Sequence, residues 1–370
     1  MRGLVQMTNH EFYMDLALKN AQAMKGQTDP NPLVGSVIVN NNRIVGVGAH
    51  LKAGEPHAEI HAIRMAGDKA RGGTIYVTLE PCSHHGRTGP CAVAIVEAGI
   101  KKVIIATLDP NPIVSGRGVK ILEEAGIEVV VGIQEAASRK MNEVFNKFIV
   151  KNTPFVTLKA GITLDGKIAT HSSDSKWITS EEARHDVHQL RNEHMAILVG
   201  VNTVIADNPE LTTRLPNGRN PIRIILDSTL KIQLDRKVIT DKLVETWIFT
   251  SEIFDKEKKS LLESMGISVF PTTGSRQVNP TEVVQILGKK GISSLLIEGG
   301  GTINAAFLEH KLIDKAVIYI APKLIGGQLA PTFLEGSGID KMGDAVELQD
   351  ADIIKIGKDF KFVGYPSYKN

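Results

Sequence analysis

Residues 57–91 read HAEIHAIRMAGDKARGGTIYVTLEPCSHHGRTGPC, and this stretch organises the first half of the chain. It contains both cysteines of the 370-residue sequence, Cys82 and Cys91, together with His57. One imidazole and two thiolates form a ligand set that suits Zn²⁺ and leaves a tetrahedral position free for chemistry. The stretch therefore predicts a catalytic zinc site with one ion per chain, held by His57, Cys82 and Cys91.

The local pattern places these ligands at the ends of secondary-structure elements. We expect a helix to start at His57, a buried strand between Gly73 and Leu79, and a second apolar helix to open at Cys91. A thiolate at a helix start faces unpaired N–H groups, which lower a thiol pKa. We therefore expect Cys91 to favour the thiolate form.

Glu59 follows His57 closely, and we assign it to catalytic proton transfer and not to ligation. His-x-Glu followed by Pro-Cys and a further Cys is typical of zinc deaminases, in which the glutamate is the general acid and base. The loop 83–90 between the cysteines is longer than in that signature, and its Arg87 suits a phosphorylated substrate. The alternative is a disulfide or two inert buried thiols, and the chain shows no secretory features that would favour it.

Composition limits the classes of function. With 42% hydrophobic residues the chain can form two domains with separate cores. The net charge of +2 and the absence of long Lys/Arg runs argue against a nucleic-acid partner, so a small anionic substrate fits better. No apolar stretch approaches the roughly 18 residues of a membrane helix. We expect a cytoplasmic protein that does not bind membranes.

Strand and helix patterns alternate in both halves, which predicts an α/β fold. The pattern pauses at 151–154, so we place a zinc deaminase domain over 1–150 and a second domain over 151–370. In the first half we expect one helix from Glu135 to Phe148. Asp109 and Asn111 follow a strand, where ligands gather in such sheets, although both residues also form turns without any function.

The second half contains the strand Leu295–Ile297 followed by Glu298 and three glycines before a helix. Backbone N–H groups at such a turn can approach a phosphate closely, or the glycines can serve close strand-to-helix packing. Trp177 stands in a polar loop, where base stacking and partial burial are both open.

Taken together, the motifs resemble one known family. They are Asn31-Pro32-Leu33-Val34-Gly35, His57-Ala58-Glu59, the stretch from Thr78 through Glu80-Pro81-Cys82 to Thr88, Asp109-Pro110-Asn111-Pro112, Leu164-Asp165-Gly166-Lys167-Ile168-Ala169 and Glu298-Gly299-Gly300. This set, in this order, resembles the bifunctional deaminase/reductase family of riboflavin biosynthesis over residues 8–366. One departure is Gly89, which stands where members of the family have proline.

The resemblance implies two folds and two activities. The first is a cytidine-deaminase-like three-layer domain that deaminates a diaminopyrimidinone ribosyl phosphate. The second is a dihydrofolate-reductase-like α/β domain that uses NADPH to reduce the ribosyl group to ribityl. We also expect a homo-oligomer.

The resemblance further implies site residues beyond the zinc ligands and Glu59. The deaminase substrate contacts are Asn31, His50, Arg87, Asp109 and Asn111. The NADPH contacts are Ala160, Trp177, Thr203, Asp207, Gly299, Gly300, Gly301 and Thr302. The reductase substrate contacts are Lys159, Ser175, Arg191, Leu211, Arg214 and Glu298.

Three alternatives remain open from the sequence. A nucleic-acid base editor would share the zinc motif, but it would need a basic surface stripe. A non-enzymatic zinc module would have a closed fourth ligand. A deaminase with a binding appendage would not oxidise NADPH.

Overall fold

The computed structural model describes residues 9–83, 89–111, 114–274 and 276–369. The chain divides into two compact units, the first ending at Asn152 and the second beginning at Thr153. Both units combine helices with a central sheet. Among the described residues, each helix is too short or too polar to span a lipid bilayer.

The described part of the first unit contains a mixed five-stranded sheet in the order β2-β1-β3-β4-β5. Its strands are β1 (Gly35–Asn40), β2 (Arg43–Ala49), β3 (Thr74–Val77), β4 (Lys102–Ile105) and β5 (Glu128–Val131). The pair β1–β2 and the pair β1–β3 are antiparallel, whereas β3, β4 and β5 run parallel. The helices are α1 (Asn9–Gln22), α2 (Ala58–Ala66), α3 (Cys91–Glu97), α4 (Arg117–Glu124), α5 (Glu135–Met141) and α6 (Glu143–Lys151).

The sheet lies between two helical layers because its strands bury both faces. Successive side chains of β1 point to opposite sides, so Ile38 packs with the helices α2, α3 and α4 while Val37 packs with α1. Glycines allow the closest approaches. A Cβ at Gly48 would lie 2.2 Å from the carbonyl oxygen of Ala58, and one at Gly46 would lie 2.2 Å from that of Ala62. This contact fixes α2, and with it the position of Glu59.

The predicted helix from Glu135 to Phe148 is wrong, because the structure breaks it at Asn142. Asn142 has φ −101° and ψ 23°, and it separates α5 from α6. Its buried amide accepts a hydrogen bond from Leu33 N–H at 2.8 Å and donates one to the Leu33 carbonyl at 2.9 Å. The break thus supplies both main-chain partners to Leu33, close in sequence to Asn31.

The described part of the second unit contains a nine-stranded sheet in the order β10-β9-β8-β7-β11-β6-β12-β14-β13. The strands are β6 (Phe155–Thr163), β7 (Ala196–Gly200), β8 (Ile222–Leu226), β9 (Thr246–Thr250), β10 (Ser268–Pro271), β11 (Ser294–Ile297), β12 (Lys315–Ala321), β13 (Glu347–Ile356) and β14 (Asp359–Ser367). In this order the first seven strands, from β10 to β12, run parallel to one another. The hairpin β13–β14 is added at one edge, where β14 pairs antiparallel with β12.

Helices cover this sheet and their starts are set by local sequence. They are α7 (Glu181–Glu193), α8 (Val201–Asp207), α9 (Lys237–Thr240), α10 (Lys256–Ser264), α11 (Pro280–Lys289) and α12 (Gly301–Glu309). The side chain of Asn279 accepts from the N–H groups of Thr281 and Glu282, and Pro280 occupies the first turn of α11. The N-cap Ser180 accepts from Ala183 N–H at the start of α7.

Candidate active sites

The first unit brings the three predicted zinc ligands together. His57 immediately precedes α2, Cys82 follows β3, and Cys91 is the first residue of α3. Nδ1 of His57 lies 3.5 Å from Sγ of Cys82 and 3.3 Å from Sγ of Cys91. The three donor atoms all lie within 4.8 Å of one another. This soft N/S set has the composition and spacing of a zinc site that retains an open position.

The two thiols differ in acidity. Hydrogen bonding from the Cys91 side chain lowers the pKa of Cys82 to about 4, and Cys91 N–H also donates to the Cys82 sulfur at 3.3 Å. The pKa of Cys91 is instead raised, because its thiol is hydrogen-bonded to Cys82 and buried. The first N–H of α3, which was expected to favour a Cys91 thiolate, is directed to the Cys82 sulfur instead. A bound divalent cation would deprotonate both thiols.

Glu59 lies in the first turn of α2, and its side chain is buried with 3% exposure. Burial, followed by the negative charge of Cys82, raises the pKa of its carboxyl to about 7. Its Oε2 atom is buried and has no hydrogen-bond partner among the described residues. An unsatisfied buried oxygen beside the cluster fits a reacting group that exchanges protons there.

Asn31 and His50 extend this cluster. The Asn31 amide Nδ2 lies 3.1 Å from Nε2 of His50, and Nδ1 of His50 lies 3.3 Å from the carbonyl oxygen of Pro56. Burial lowers the pKa of His50, so the neutral tautomer with a proton on Nδ1 satisfies both contacts. The imidazole packs edge-on against His57 at a centroid distance of 5.3 Å. Both predicted residues therefore lie beside the cluster.

A buried carboxylate that the sequence did not single out orders the next loop. Glu80 is 4% exposed, and its two oxygens accept four main-chain N–H groups, those of Asp109, Gly116, Gly118 and Val119, at 2.9 to 3.3 Å.

A close backbone contact adds to this arrangement. A Cβ at Gly118 would lie only 2.0 Å from the carbonyl oxygen of Pro81, so α4 packs directly against the segment that carries Cys82. Asp109 Oδ1 accepts from Asn111 N–H at 2.8 Å. The predicted pair Asp109 and Asn111 is thus tied through Glu80 to the zinc loop, whereas Arg87 lies outside the described residues.

The second unit forms a separate cavity of about 510 Å³ around a buried ion cluster. Arg191 on α7 donates two hydrogen bonds to Glu298, from Nε at 2.7 Å and from Nη2 at 3.0 Å. Lys159 Nζ lies 3.4 Å from the same carboxylate. Burial acts to raise the pKa of Glu298, but the charges of Arg191 and Lys159 outweigh it and the pKa is strongly lowered. The carboxylate therefore stays ionised.

Most residues predicted for the second unit line this one cavity. They are Lys159, Ala160, Ser175, Trp177, Arg191, Thr203, Asp207, Leu211, Arg214, Glu298 and Gly299. Trp177 is 61% exposed, which excludes the interpretation that it is a partly buried core residue. Arg184 stacks over its ring, with the guanidinium carbon 4.5 Å from the centroid.

The three glycines after Glu298 have different surroundings. A Cβ at Gly299 would lie 2.9 Å from Ile303, and one at Gly301 would lie 2.6 Å from the carbonyl oxygen of Thr332. Those two positions therefore serve close packing. Gly300 has φ −79° and open space around its Cβ position, so no positive φ requires glycine there. With Thr302 it lines a second cavity, next to the first.

Two family descriptions match successive parts of the chain. Residues 7–107 match the cytidine and deoxycytidylate deaminase zinc-binding region. Residues 154–362 match the RibD C-terminal domain. The RibD of Bacillus amyloliquefaciens, a riboflavin biosynthesis protein, is 49% identical over 357 residues, which is 96% of each chain. The chain belongs to the RibD family. It is a bifunctional enzyme of riboflavin biosynthesis, with a zinc-binding deaminase domain and a reductase domain.

Solved RibD structures have the same fold over nearly the whole chain. RibD of Acinetobacter baumannii is 38% identical with a TM-score of 0.87, covering 97% of this chain and 99% of that one. The Thermotoga maritima protein described as a diaminohydroxyphosphoribosylaminopyrimidine deaminase/5-amino-6-(5-phosphoribosylamino)uracil reductase is 36% identical with a TM-score of 0.84, covering 97% and 99%. The α/β class and the two enzymatic domains predicted from sequence are confirmed, and the alternative of a binding appendage is wrong.

The reductase unit also contains a buried ion pair that was not predicted from the sequence. Arg223 on β8 is fully buried, and its guanidinium donates to both oxygens of Asp241 at 2.8 and 2.7 Å. Its Nε donates to the carbonyl of Glu210, which precedes the cavity residue Leu211. The available signal was an arginine inside the apolar strand Ile222–Leu226, because a buried charge requires a partner.

Proposed function

We propose that the chain first deaminates 2,5-diamino-6-(5-phosphoribosylamino)pyrimidin-4(3H)-one and then reduces the ribosyl group of the product to ribityl with NADPH. The name of the Thermotoga maritima relative supports these substrates, because that protein is similar to this one along almost the whole length of both chains. The two separate clusters described above support two separate reactions. Each cluster lies within one unit.

One observation carries the deaminase half of the proposal. His57, Cys82 and Cys91 converge beside a buried carboxylate oxygen of Glu59 that has no partner in the described structure. We assign the first three to zinc and Glu59 to proton transfer. When bound, zinc polarises the water that attacks the ring.

Glu59 is assigned to both proton transfers of the deamination. Its carboxylate accepts a proton as the oxygen of water bonds to the ring carbon that carries the amino group. It returns the proton to the departing nitrogen as the carbon–nitrogen bond breaks, and ammonia leaves. Asn31, His50, Asp109 and Asn111 are assigned to substrate binding, with Arg87 as the phosphate contact predicted from sequence. The contact of His50 with His57 and the tie of Asp109 to Glu80 support this assignment.

The reductase half rests on the cavity around Glu298. When bound, NADPH supplies the hydride that reduces the ribosyl carbon. We assign NADPH to Ala160, Trp177, Thr203, Asp207 and the glycine turn through Thr302. The substrate is assigned to Lys159, Ser175, Arg191, Leu211, Arg214 and Glu298. Lys159 and Arg191 give this cavity cationic donors for the polar substrate, while Glu298 accepts hydrogen bonds.

Product identification tests the proposal directly. The purified protein is incubated with the diaminopyrimidinone, with and without NADPH. We expect ammonia and the aminouracil without NADPH, and the ribityl product with it. Release of ammonia without any NADPH-dependent product would contradict the reductase half alone.

Metal analysis tests the ligand assignment. We expect one zinc per chain in the wild-type protein and loss of zinc in Cys82→Ala, because the remaining His57 and Cys91 are an incomplete set. Ser83→Ala is the matched control and should retain zinc. Full zinc content in Cys82→Ala would refute the assignment.

The proposal also includes a homo-oligomer in the cytoplasm, as expected from the sequence. Ile353 and Ile354 are 65% and 45% exposed on the edge strand β13, which is the kind of apolar edge that a second copy can cover. Sedimentation analysis and cell fractionation measure the two properties.

A further inference from the structure

The second cavity of the reductase unit has about 320 Å³ and lies at the ends of neighbouring parallel strands. Thr203 lines both this cavity and the one around Glu298. Gly300 and Thr302, also assigned to NADPH, line only the second. The assigned contacts therefore describe one elongated ligand that occupies both cavities.

The position of the hydride donor sets the orientation of NADPH across the two cavities. The nicotinamide must lie against the substrate, so it belongs in the cavity with Glu298. The adenosine end then belongs in the second cavity, whose apolar lining includes Val201, Ile303 and Phe307 and suits an adenine ring.

A rigid turn after β8 forms the polar side of this second cavity. Asp227 closes the turn, because its oxygens accept the N–H groups of Lys231 at 3.0 Å and Ile232 at 2.8 Å. The Ser228 carbonyl is held by Thr250 Oγ1 at 3.1 Å and Ser251 Oγ at 2.8 Å. The turn presents hydroxyl groups and an ammonium group from a fixed backbone.

Two charged residues of this turn, Asp227 and Lys231, could select between NADH and NADPH. A carboxylate that accepts the ribose 2′-hydroxyl favours NADH, whereas a cation at that place favours the 2′-phosphate of NADPH. Asp227 is 1% exposed and both of its oxygens accept main-chain N–H groups. Lys231 is exposed, with Nζ 2.7 Å from Oδ1 of Asn202, another lining residue. Among the described lining residues, Lys231 is the one with a positive charge.

We propose that Lys231 determines cofactor specificity by binding the 2′-phosphate of NADPH, with Ser228 and Thr229 as hydroxyl donors beside it. The inference rests on the proposed use of NADPH by the reductase unit. Asn202 holds the ammonium over the cavity in the absence of the phosphate, and the phosphate then becomes a stronger partner.

Direct binding measurements test this assignment. Calorimetric titration with NADPH and with NADH is compared for wild type, Lys231→Gln and the control Lys256→Gln, an exposed lysine at the start of α10 that does not line the cavity. Lys231→Gln should weaken NADPH binding by roughly 10- to 100-fold, the value of a lost hydrogen bond to a charged group, and leave NADH affinity near wild type. Lys256→Gln should change neither affinity.

A fragment pair isolates the phosphate. Adenosine 2′,5′-bisphosphate should bind the wild-type protein more tightly than adenosine 5′-monophosphate, and Lys231→Gln should remove that difference. Thermal unfolding must match the wild type. Unchanged NADPH affinity, or equal loss for NADPH and NADH, would overturn the assignment of Lys231 while leaving the proposed function standing. A wild-type protein that binds and oxidises neither dinucleotide would instead refute the proposed reductase cofactor.

Discussion

Two buried carboxylates, Glu59 in the deaminase unit and Glu298 in the reductase unit, have opposite pKa shifts. Burial and the negative charge of Cys82 raise the pKa of Glu59 to about 7. Burial acts in the same direction on Glu298, but Arg191 and Lys159 reverse it. Burial alone therefore does not set the role of a carboxylate. The partners decide whether it exchanges protons or remains a fixed charge.

The largest effect is expected when the proton-exchanging carboxylate of the deaminase unit is removed. Glu59→Gln retains the size of the side chain but removes its ability to accept a proton. We expect deamination to fall by about 10² to 10⁴-fold, the usual contribution of a general acid and base. Ammonia release measures the loss, while zinc content should stay at the wild-type value.

The control for Glu59→Gln is the second activity. Reduction of supplied deaminated substrate should persist, because Glu59 belongs to the other unit. A parallel loss of both activities would show that the two units are not independent in function.

The next largest effect is expected when Glu298 of the reductase unit loses its main cationic partner. Arg191→Met removes the bidentate partner of Glu298 and leaves a buried carboxylate with Lys159 alone. We expect a loss of about 3 to 5 kcal/mol in the free energy of unfolding of this unit, as for other broken buried pairs. Denaturant unfolding measures it, and reduction of the substrate should also be lost.

A triple variant distinguishes charge from packing in that experiment. Lys159→Met, Arg191→Met and Glu298→Gln together remove all three buried charges, so stability should recover in part while reduction stays low. If the triple variant were as unstable as Arg191→Met, lost packing of the arginine and not the buried charge would explain the effect.

The same contrast explains how much the sequence could predict. The zinc ligands and Glu59 lie within one stretch, where residue type and spacing predict the chemistry without knowledge of the fold. The reductase cavity joins Lys159 on β6, Arg191 on α7 and Glu298 after β11, which are distant in sequence and meet only in the folded unit. Their assignment from sequence therefore depended on resemblance to a family.

Other features could not be predicted because a tertiary contact determines them. The helical pattern is interrupted at Asn142, whose side chain hydrogen-bonds to the main chain of Leu33. The short helix α8, which carries Thr203 and Asp207, and the strands β12, β13 and β14 did not emerge from the local pattern. Strand β13 is exposed along nearly its whole length, so it shows no buried face.

A third prediction concerns the glycine turn of the reductase unit, where the space around the backbone and not a charge is expected to decide the effect. Gly300→Val places a side chain at the edge of the cavity assigned to adenosine, so NADPH affinity should fall roughly tenfold, the cost of overpacking by about 1 to 3 kcal/mol. Thermal unfolding should change little, because the space around a Cβ there is open. Titration with NADPH measures the first effect.

Gly301→Val is the matched control for Gly300→Val. Its Cβ would lie 2.5 Å from Cγ of Glu335 and 2.6 Å from the Thr332 carbonyl oxygen, so this variant should unfold at a lower temperature. If the two variants lost stability equally, Gly300 would also serve strand-to-helix packing.

The smallest effect is expected at Glu80, a third buried carboxylate, whose partners are neither absent nor cationic but are four main-chain N–H groups. Glu80→Gln keeps one acceptor oxygen and replaces the other by an N–H₂ group that cannot accept from Asp109 and Gly116, or from Gly118 and Val119. The loop that carries Asp109 and Asn111 then loses part of its support.

A hydrogen bond to a charged group contributes about 1.5 to 3 kcal/mol, and only part of that support of the loop is lost, so we expect KM for the deaminase substrate to rise by roughly 2- to 10-fold. The value of kcat should change less, because Glu59 and the zinc ligands are untouched. Glu80→Asp, which retains the charge, should recover part of the loss. Loss of zinc from Glu80→Gln would instead show that Glu80 acts through Pro81 and Cys82, and unchanged KM would show that the substrate loop holds its position without this carboxylate.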